Sequence, residues 1–497
     1  MNSIRIKNIR SIKDSDTIEL RPITVAIGKN SCGKSTFIRT LPLLKQTIEK
    51  DVAESLLWYG DYVDFGNYST IKPYFHSEEN PCIELTTKTF LSTNYFSSSQ
   101  EVDVHLKMVL SEKYIKQFSI HYYDQEVIVS LKENQKIESI VINGQHMRLS
   151  TNDYIWLRNS KELIPVIAPQ KNIERAFWFF APRFEEGVDN IVTQFRNICS
   201  SKAKEDTIKS FANQLVCFTS KSNLREKLIS TQKFPTVAKF FKNCDTKDLC
   251  FLSINNNMVL ALLPSLIGFI NGTLKEEGNS MHYLKPIRAN ANRYYRIQGI
   301  STKELDSDGS NLPMILYNMD ATQRFEFEQW TQEKFGIEFS VSTDSGHISL
   351  VAKSNGVSIN LADTGYGYSQ ILPVILQLFL LTKNNIQNNR GSSFIFIIEQ
   401  PELHLHPAFQ AKIIDAFAGI VSTAKESGID IKIIFETHSE TMVNRLGYLI
   451  YKNRLQKELV NVLIFDKEDG ITNVKSRSFN EKGLIDGWPT GFFSVED

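Results

Sequence analysis

The segment Gly28-Lys29-Asn30-Ser31-Cys32-Gly33-Lys34-Ser35 constrains this chain more than any other stretch of it. It fits GxxxxGK[ST], and its flanks are those the pattern needs. The β-branched run Ile23-Thr-Val-Ala-Ile27 precedes it and a helical pattern from Lys34 to about Lys50 follows. Each position has a chemical reason. Gly28 and Gly33 allow backbone dihedrals that bring N–H groups close to phosphate oxygens. Lys29, Asn30, Ser31 and Cys32 complete the loop between them, and Thr36 sits in the first helical turn. Lys34 supplies a point charge for β- and γ-phosphates, and Ser35 offers a hydroxyl to Mg²⁺. The helix that begins here aims its positive dipole end at the same place. ATP with Mg²⁺ is therefore the expected ligand. Pro42 inside the helical pattern is expected to kink or split it.

A strand–loop–helix of this kind needs an α/β core, and the chain has the length for one with additions. Its 497 residues allow one large domain with an insertion, or two to three ordinary domains. Apolar residues at 42% and charged residues at 23% exclude global disorder. Lys+Arg and Asp+Glu both number 56, which excludes a uniformly basic nucleic-acid coat. The N-terminus has no apolar signal region, and the longest apolar stretch, Met258 to Ile270, is too short to span a membrane. A cytoplasmic protein without a membrane partner is expected. The six cysteines form no CxxC pair, and Cys244 to Cys250 lacks a zinc-ligand spacing. They read as reduced thiols at packing positions.

Three regions are expected. Residues 1–150 hold the loop and then short alternating strands at Ile83–Thr87, Val102–Leu110, Phe118–Tyr123, Glu126–Leu131 and Ile137–Ile142, an antiparallel sheet. Residues 151–280 read as a mainly helical insertion, with an aromatic cluster at Phe177–Phe180. Its stretch 196–247 has 11 basic and 4 acidic residues, a formal +7. Residues 281–497 return to alternating strands and helices.

This last region carries further chemistry. Phe394-Ile-Phe-Ile-Ile398-Glu399 is an apolar strand ending in a carboxylate, so Glu399 is the expected Mg²⁺ carboxylate. Gln400 follows, an amide that can orient water but cannot take its proton. Glu402 is the nearest alternative base. His404 and His406 are two residues apart, but no third His or Cys lies at convenient spacing, so they read as loop residues before a helix opened by Pro407. Ile433-Ile-Phe-Glu436-Thr437-His438-Ser439 is a second strand with a polar end, where His438 could contact a γ-phosphate. Gly365, Gly367, Ser369 and Gln370 form a glycine-bearing turn that opens a helix.

In this order the elements resemble ABC-type ATPase heads of the branch that includes RecF and OLD proteins. Ile4-Arg-Ile-Lys-Asn-Ile-Arg-Ser11, Glu399-Gln-Pro-Glu-Leu-His-Leu-His-Pro407 and Glu436-Thr-His-Ser439 carry the likeness. The resemblance implies an α/β head with a mixed sheet and an antiparallel β subdomain, and two subunits that sandwich two ATP molecules. It puts Ser369 and its turn against the partner's nucleotide, Gln400, Glu402 and His438 at the reacting end, and Gln46 beside Ser35 and Glu399 at Mg²⁺. Leu41-Pro-Leu-Leu-Lys-Gln46, Trp58 to Gly66, Leu284 to Arg288 and Trp488 to Phe493 are similar to a narrower group, the PtuA ATPases of Septu and retron-associated anti-phage systems. Those work with a separate HNH nuclease, PtuB, and in retron versions with a reverse transcriptase and multicopy single-stranded DNA.

OLD proteins append a Toprim nuclease, whereas here only 59 residues follow His438, with one acidic cluster at Asp466–Asp469. No intrinsic nuclease is expected. Lys285, Arg288, Arg293 and Arg296 flank Tyr294 and Tyr295, which suits single-stranded nucleic acid, the ATP dimer or the core. The basic stretch 196–247 reads as a nucleic-acid face, a solvated helical face or a docking surface. The leading function is a slowly hydrolysing regulatory ATPase. The alternatives are a RecF-like DNA-repair ATPase and a nucleotide-binding scaffold that never hydrolyses.

Overall fold

The computed structural model describes residues 1–73, 75, 79–92, 100–148, 154–158, 161–169, 184–200, 203–299, 304–354, 356–386, 393–485 and 487. The aromatic run Phe177–Phe180 and the C-terminal Trp488–Phe493 lie outside them.

A fifteen-stranded sheet organises the chain. Five parallel strands form one part, in the order Met281–Leu284, Ser393–Glu399, Asp430–Glu436, Ile23–Gly28, Val460–Glu468. All six residues of Ile23–Gly28 are buried, as a β-branched run covered on both faces must be. Ile471–Arg477 turns back antiparallel on Val460–Glu468 and pairs with Ile12–Asp14. Ser3–Ile9 then leads into an antiparallel meander from Cys82–Leu91 to Gln145–His146. The expected antiparallel sheet is thus present, and it continues the parallel one. Its strands alternate buried and exposed positions, the mark of a sheet with one face on a core.

The helix Lys34–Glu49 runs unbroken through Pro42. Thirteen of its sixteen residues are buried, so packing on all sides holds the helix across the local break. Residues 151–280 are not helical throughout, because Tyr154–Leu157 and Val166–Pro169 pair as a two-stranded ladder. Five helices follow between Glu185 and Asn279. The last, Leu249–Asn279, is by length and composition long and apolar enough to cross a membrane, yet 72% of its most apolar window is buried in protein. It packs on the helix Lys34–Glu49 and the strand Cys82–Leu91. Its Asn255 exchanges side-chain hydrogen bonds of 2.9 Å with Gln125, and Asn256 binds Ile142 O and Gln145. Buried amides are placed this way only where each finds a partner, and here the partners belong to the meander.

Candidate functional site

The parallel strands end at one edge, where Glu399, Glu436 and Ala26 stand level in neighbouring strands. The glycine loop crosses this edge. Ser31 at φ 61° and Gly33 at φ 96° take left-handed backbone, which turns the loop into the helix Lys34–Glu49. A Cβ on Gly28 would lie 2.5 Å from the Phe465 carbonyl oxygen, so the close approach of strand Val460–Glu468 requires glycine there. Above the loop opens a cavity of about 410 Å³, within the range of small-molecule sites. Asn30 to Thr36 line it, with Arg10, Ser11, Gln400, Glu436, His438 and Lys467.

The Lys34 ammonium is buried and folds back on its own loop, to Gly28 O at 2.9 Å and Lys29 O at 2.8 Å. It lies 3.7 Å from Glu436. The Ser35 hydroxyl donates to Glu436 at 2.8 Å. The carboxylate beside the loop serine is therefore Glu436, on the strand between the loop strand and that of Glu399. Both Glu399 oxygens take the Arg39 guanidinium at 2.7 Å, and Tyr283 OH donates to one of them at 2.6 Å. Arg39 lies one helical turn beyond Ser35 and reaches Glu399 across the helix.

Gln46 is also elsewhere. It lies twelve residues past Lys34, roughly 18 Å along the helix axis. Its amide is spent on the segment 57–63, donating to Leu57 O and Val63 O and accepting from Tyr62 and Val63 N–H. Gln400 sits at φ 46°, with its N–H on Glu436 O at 2.9 Å. Glu402 accepts the His438 backbone N–H at 2.7 Å, so it positions the histidine from behind. The His438 Nε2 lies 3.9 Å from Glu436. His406 caps the helix Pro407–Glu426, accepting Ala408 N–H through Nδ1 at 3.2 Å.

The turn at 365–370 opens the helix Tyr366–Ile386. Gly367 packs so close that a Cβ would be 2.8 Å from His404 O. The Ser369 hydroxyl is spent on Tyr366 O at 2.8 Å, and Gly365 faces open space. Gln370 points inward, trading hydrogen bonds with the Arg288 backbone at 3.1 and 2.9 Å. Arg288, for which nucleic acid, the ATP dimer and the core were all open, is 2% exposed and donates to Gln370 O and Glu399 O. Burial brings its pKa down to about 10. Arg293 pairs with Asp363, and the Tyr295 hydroxyl accepts Asn292 N–H at 2.8 Å. Tyr294 and Arg296 stay exposed. The predicted patch is thus divided between core and surface.

Residues 1–443 match the family described as AAA ATPase domain. The chain belongs to this family. Among solved structures it is similar to an Smc head bound to the C-winged helix domain of ScpA, at 10% identity and TM-score 0.37, covering 97% of this chain and 98% of that one. It is similar also to an Smc head with an extended coiled coil bound to the C-terminal domain of ScpA, from Pyrococcus furiosus, at 11% identity and TM-score 0.34, covering 96% of each. The SMC head domain from Thermotoga maritima gives 9% identity and TM-score 0.32, covering 95% of this chain and 97% of that one. No curated protein matches the chain.

As an AAA ATPase, the chain has its strand Asp430–Glu436 inserted between the glycine-loop strand and the Glu399 strand. The architecture is mixed α/β, with parallel and antiparallel parts in one sheet. The site's charges fit a magnesium nucleotide: a buried cation, a hydroxyl and a carboxylate converge where loop N–H groups face the cavity. Burial raises the Glu436 pKa, with Lys34 opposing. Burial, with Lys34 adding to it, lowers the His438 pKa and favours the neutral imidazole. Reading the sequence assigned Glu436 no role of its own and did not single out Arg39, Tyr283 or Lys467 or place Arg10 at the cavity. The glutamate that ends Ile431-Lys-Ile-Ile-Phe435 was the one visible signal, since a charge closing a buried strand needs a reason.

Proposed function

We propose that this ATPase binds MgATP at the glycine loop, pairs with a second copy around the nucleotide, and hydrolyses slowly. Bound MgATP supplies the phosphoryl group and the charge that polarises it. Lys34 would turn from its own carbonyls to the phosphates, and Ser35 with Glu436 would hold the metal. His438, kept neutral and fixed by Glu402, would meet the terminal phosphate, and Gln400 would orient water. Gly365, Gly367 and Ser369 would reach the partner's nucleotide once Ser369 leaves Tyr366 O. The observation that carries the slow-turnover reading is the cavity wall. Its carboxylate, Glu436, is engaged by Ser35 and Lys34, and the residue after Glu399 is an amide. Without a free base, water activation is weak. A slow ATPase suits a sensor, which supports regulation of a separate HNH nuclease of PtuB type in cytoplasmic anti-phage defence, with no nuclease in this chain.

The test compares steady-state hydrolysis by wild type, Lys34→Ala and Gln400→Glu. Gln400→Glu is expected to raise kcat by about 10- to 100-fold, within the reach of a general base. Wild-type turnover equal to that of Lys34→Ala would refute hydrolysis and leave a nucleotide-binding scaffold. Co-expression with the neighbouring genes tests the partner. Recovery of an HNH protein supports it, with or without a reverse transcriptase and its single-stranded DNA, and DNA-stimulated hydrolysis without any effector favours the repair ATPase instead.

A further inference from the structure

Far from the nucleotide, in the helical region, two cysteines and an aspartate meet. Cys244 follows the helix Pro235–Lys242, and Cys250 lies in the first turn of Leu249–Asn279. Their sulfurs are 3.2 Å apart. One ligand atom each from Cys244, Asp248 and Cys250 lies within 4.8 Å of the other two, the one such trio of His, Cys, Asp or Glu ligands among the described residues. The linear spacing hid this, because the turn 245–248 folds back and brings the aspartate in.

A second observation concerns Asp248. It stands at the N-cap of a 31-residue helix, where an aspartate ordinarily accepts a backbone N–H two or three residues on. Here no side-chain cap bond forms. The carboxylate instead accepts Asp245 N–H at 2.8 Å through Oδ2, which holds it over the turn on the cysteine side. Arg225 anchors the same turn by donating to Cys244 O at 2.6 Å.

The geometry points to a divalent-metal site of Cys244, Asp248 and Cys250, of the sulfur-rich kind that takes zinc. Tetrahedral zinc with two thiolates at 2.3 Å holds them about 3.8 Å apart, so the sulfurs need to open by about half an ångström. A disulfide would need them to close to about 2.05 Å, and would leave the aspartate without a role. Binding exchanges one Zn²⁺ for two thiol protons, with water as fourth ligand. The site staples the end of one helix to the start of the long helix that carries the insertion.

The experiment uses the full chain, reduced and stripped of metal, titrated with Co²⁺ and then Zn²⁺. One Co²⁺ per chain is expected, with the near-ultraviolet thiolate-to-cobalt charge-transfer band, displaced by one Zn²⁺. Cys250→Ser should remove the band and weaken Zn²⁺ by at least about 100-fold, and Asp248→Asn by about 10- to 100-fold. Lys34→Ala should leave the titration unchanged, which separates this site from the nucleotide site. Absence of the band in wild type would overturn the proposal whatever the variants do. So would a band that survives Cys250→Ser, or a Cys244–Cys250 disulfide formed in excess Zn²⁺.

Discussion

Exchanging the amide for the carboxylate at two level positions, Glu436→Gln and Glu399→Gln, should give opposite results. The two residues are register partners in adjacent strands, yet their surroundings differ. Glu436 faces the loop, 2.8 Å from the Ser35 hydroxyl and 3.7 Å from the Lys34 ammonium. Burial holds its pKa up, so its ionised form weighs on the folded state at neutral pH. Glu436→Gln should therefore raise the stability of the nucleotide-free protein while weakening MgATP. Losing a carboxylate at or next to the metal costs about 10- to 100-fold, or roughly 1.4–2.7 kcal/mol. Glu399 is 2% exposed and closed by Arg39 and Tyr283. Breaking a buried pair from one side costs about 3–5 kcal/mol, and the Arg39 side chain, 32% exposed, recovers part of that in water. Glu399→Gln should thus lose about 2–4 kcal/mol of stability, with a smaller effect on magnesium dependence. Urea unfolding gives the first quantity, and nucleotide binding titrated against Mg²⁺ gives the second. The reasoning fails if Glu399→Gln abolishes magnesium-dependent binding with stability unchanged, or if Glu436→Gln leaves that binding intact.

Gln46→Ala should cost about 2–4 kcal/mol, because four hydrogen bonds to segment 57–63 go with the amide, while the magnesium dependence of nucleotide binding stays as in wild type; a selective loss of that dependence would return Gln46 to the metal. Arg288→Ala should destabilise by about 3 kcal/mol through Gln370 O and Glu399 O, and the salt slope of any single-stranded DNA binding should not change. A lower slope in a folded Arg288→Ala protein would contradict its burial. His282 is held neutral by burial, with Lys45 adding to it, and its pKa falls to about 4. A depressed histidine contributes stability that is present above the unfolded value near 6.5 and lost as pH falls toward the folded one. Wild type should therefore lose about 3 kcal/mol relative to His282→Asn between pH 7 and pH 4, read by urea unfolding at each pH. Parallel stability curves for the two proteins would show that His282 titrates normally.

What could be read along the chain was whatever depends on neighbours in sequence. The glycine loop is such a case: strand, turn and helix are contiguous, even though the close approach that requires Gly28 comes from distant Phe465. The meander is another, since alternation from Gln100 to Ile142 says which face is buried before any partner strand is known. The site's second layer depends on the sheet order instead. Whether Glu399 or Glu436 faces Ser35 is decided by the strand Asp430–Glu436 standing next to the loop strand and by Arg39 arriving from the helix. Nothing local to Glu399 announces either fact, so an apolar strand ending in a carboxylate does not say which of the two carboxylates stands beside Ser35. Arg288 was left open between nucleic acid, the ATP dimer and the core for the same reason. A cation among arginines and tyrosines looks like surface until the helix Tyr366–Ile386 closes over it through Gln370. Cys244 and Cys250 differ, since the local turn between them sets their distance. For Glu399 and Arg288 the missing quantity is which groups a buried charge faces, and only the packing of distant segments supplies it. The contacts that escaped notice are accordingly those between residues far apart in sequence: Arg39 with Glu399, Ser35 with Glu436, Tyr283 with Glu399. These contacts hold the glycine-loop helix against both strands of the polar edge.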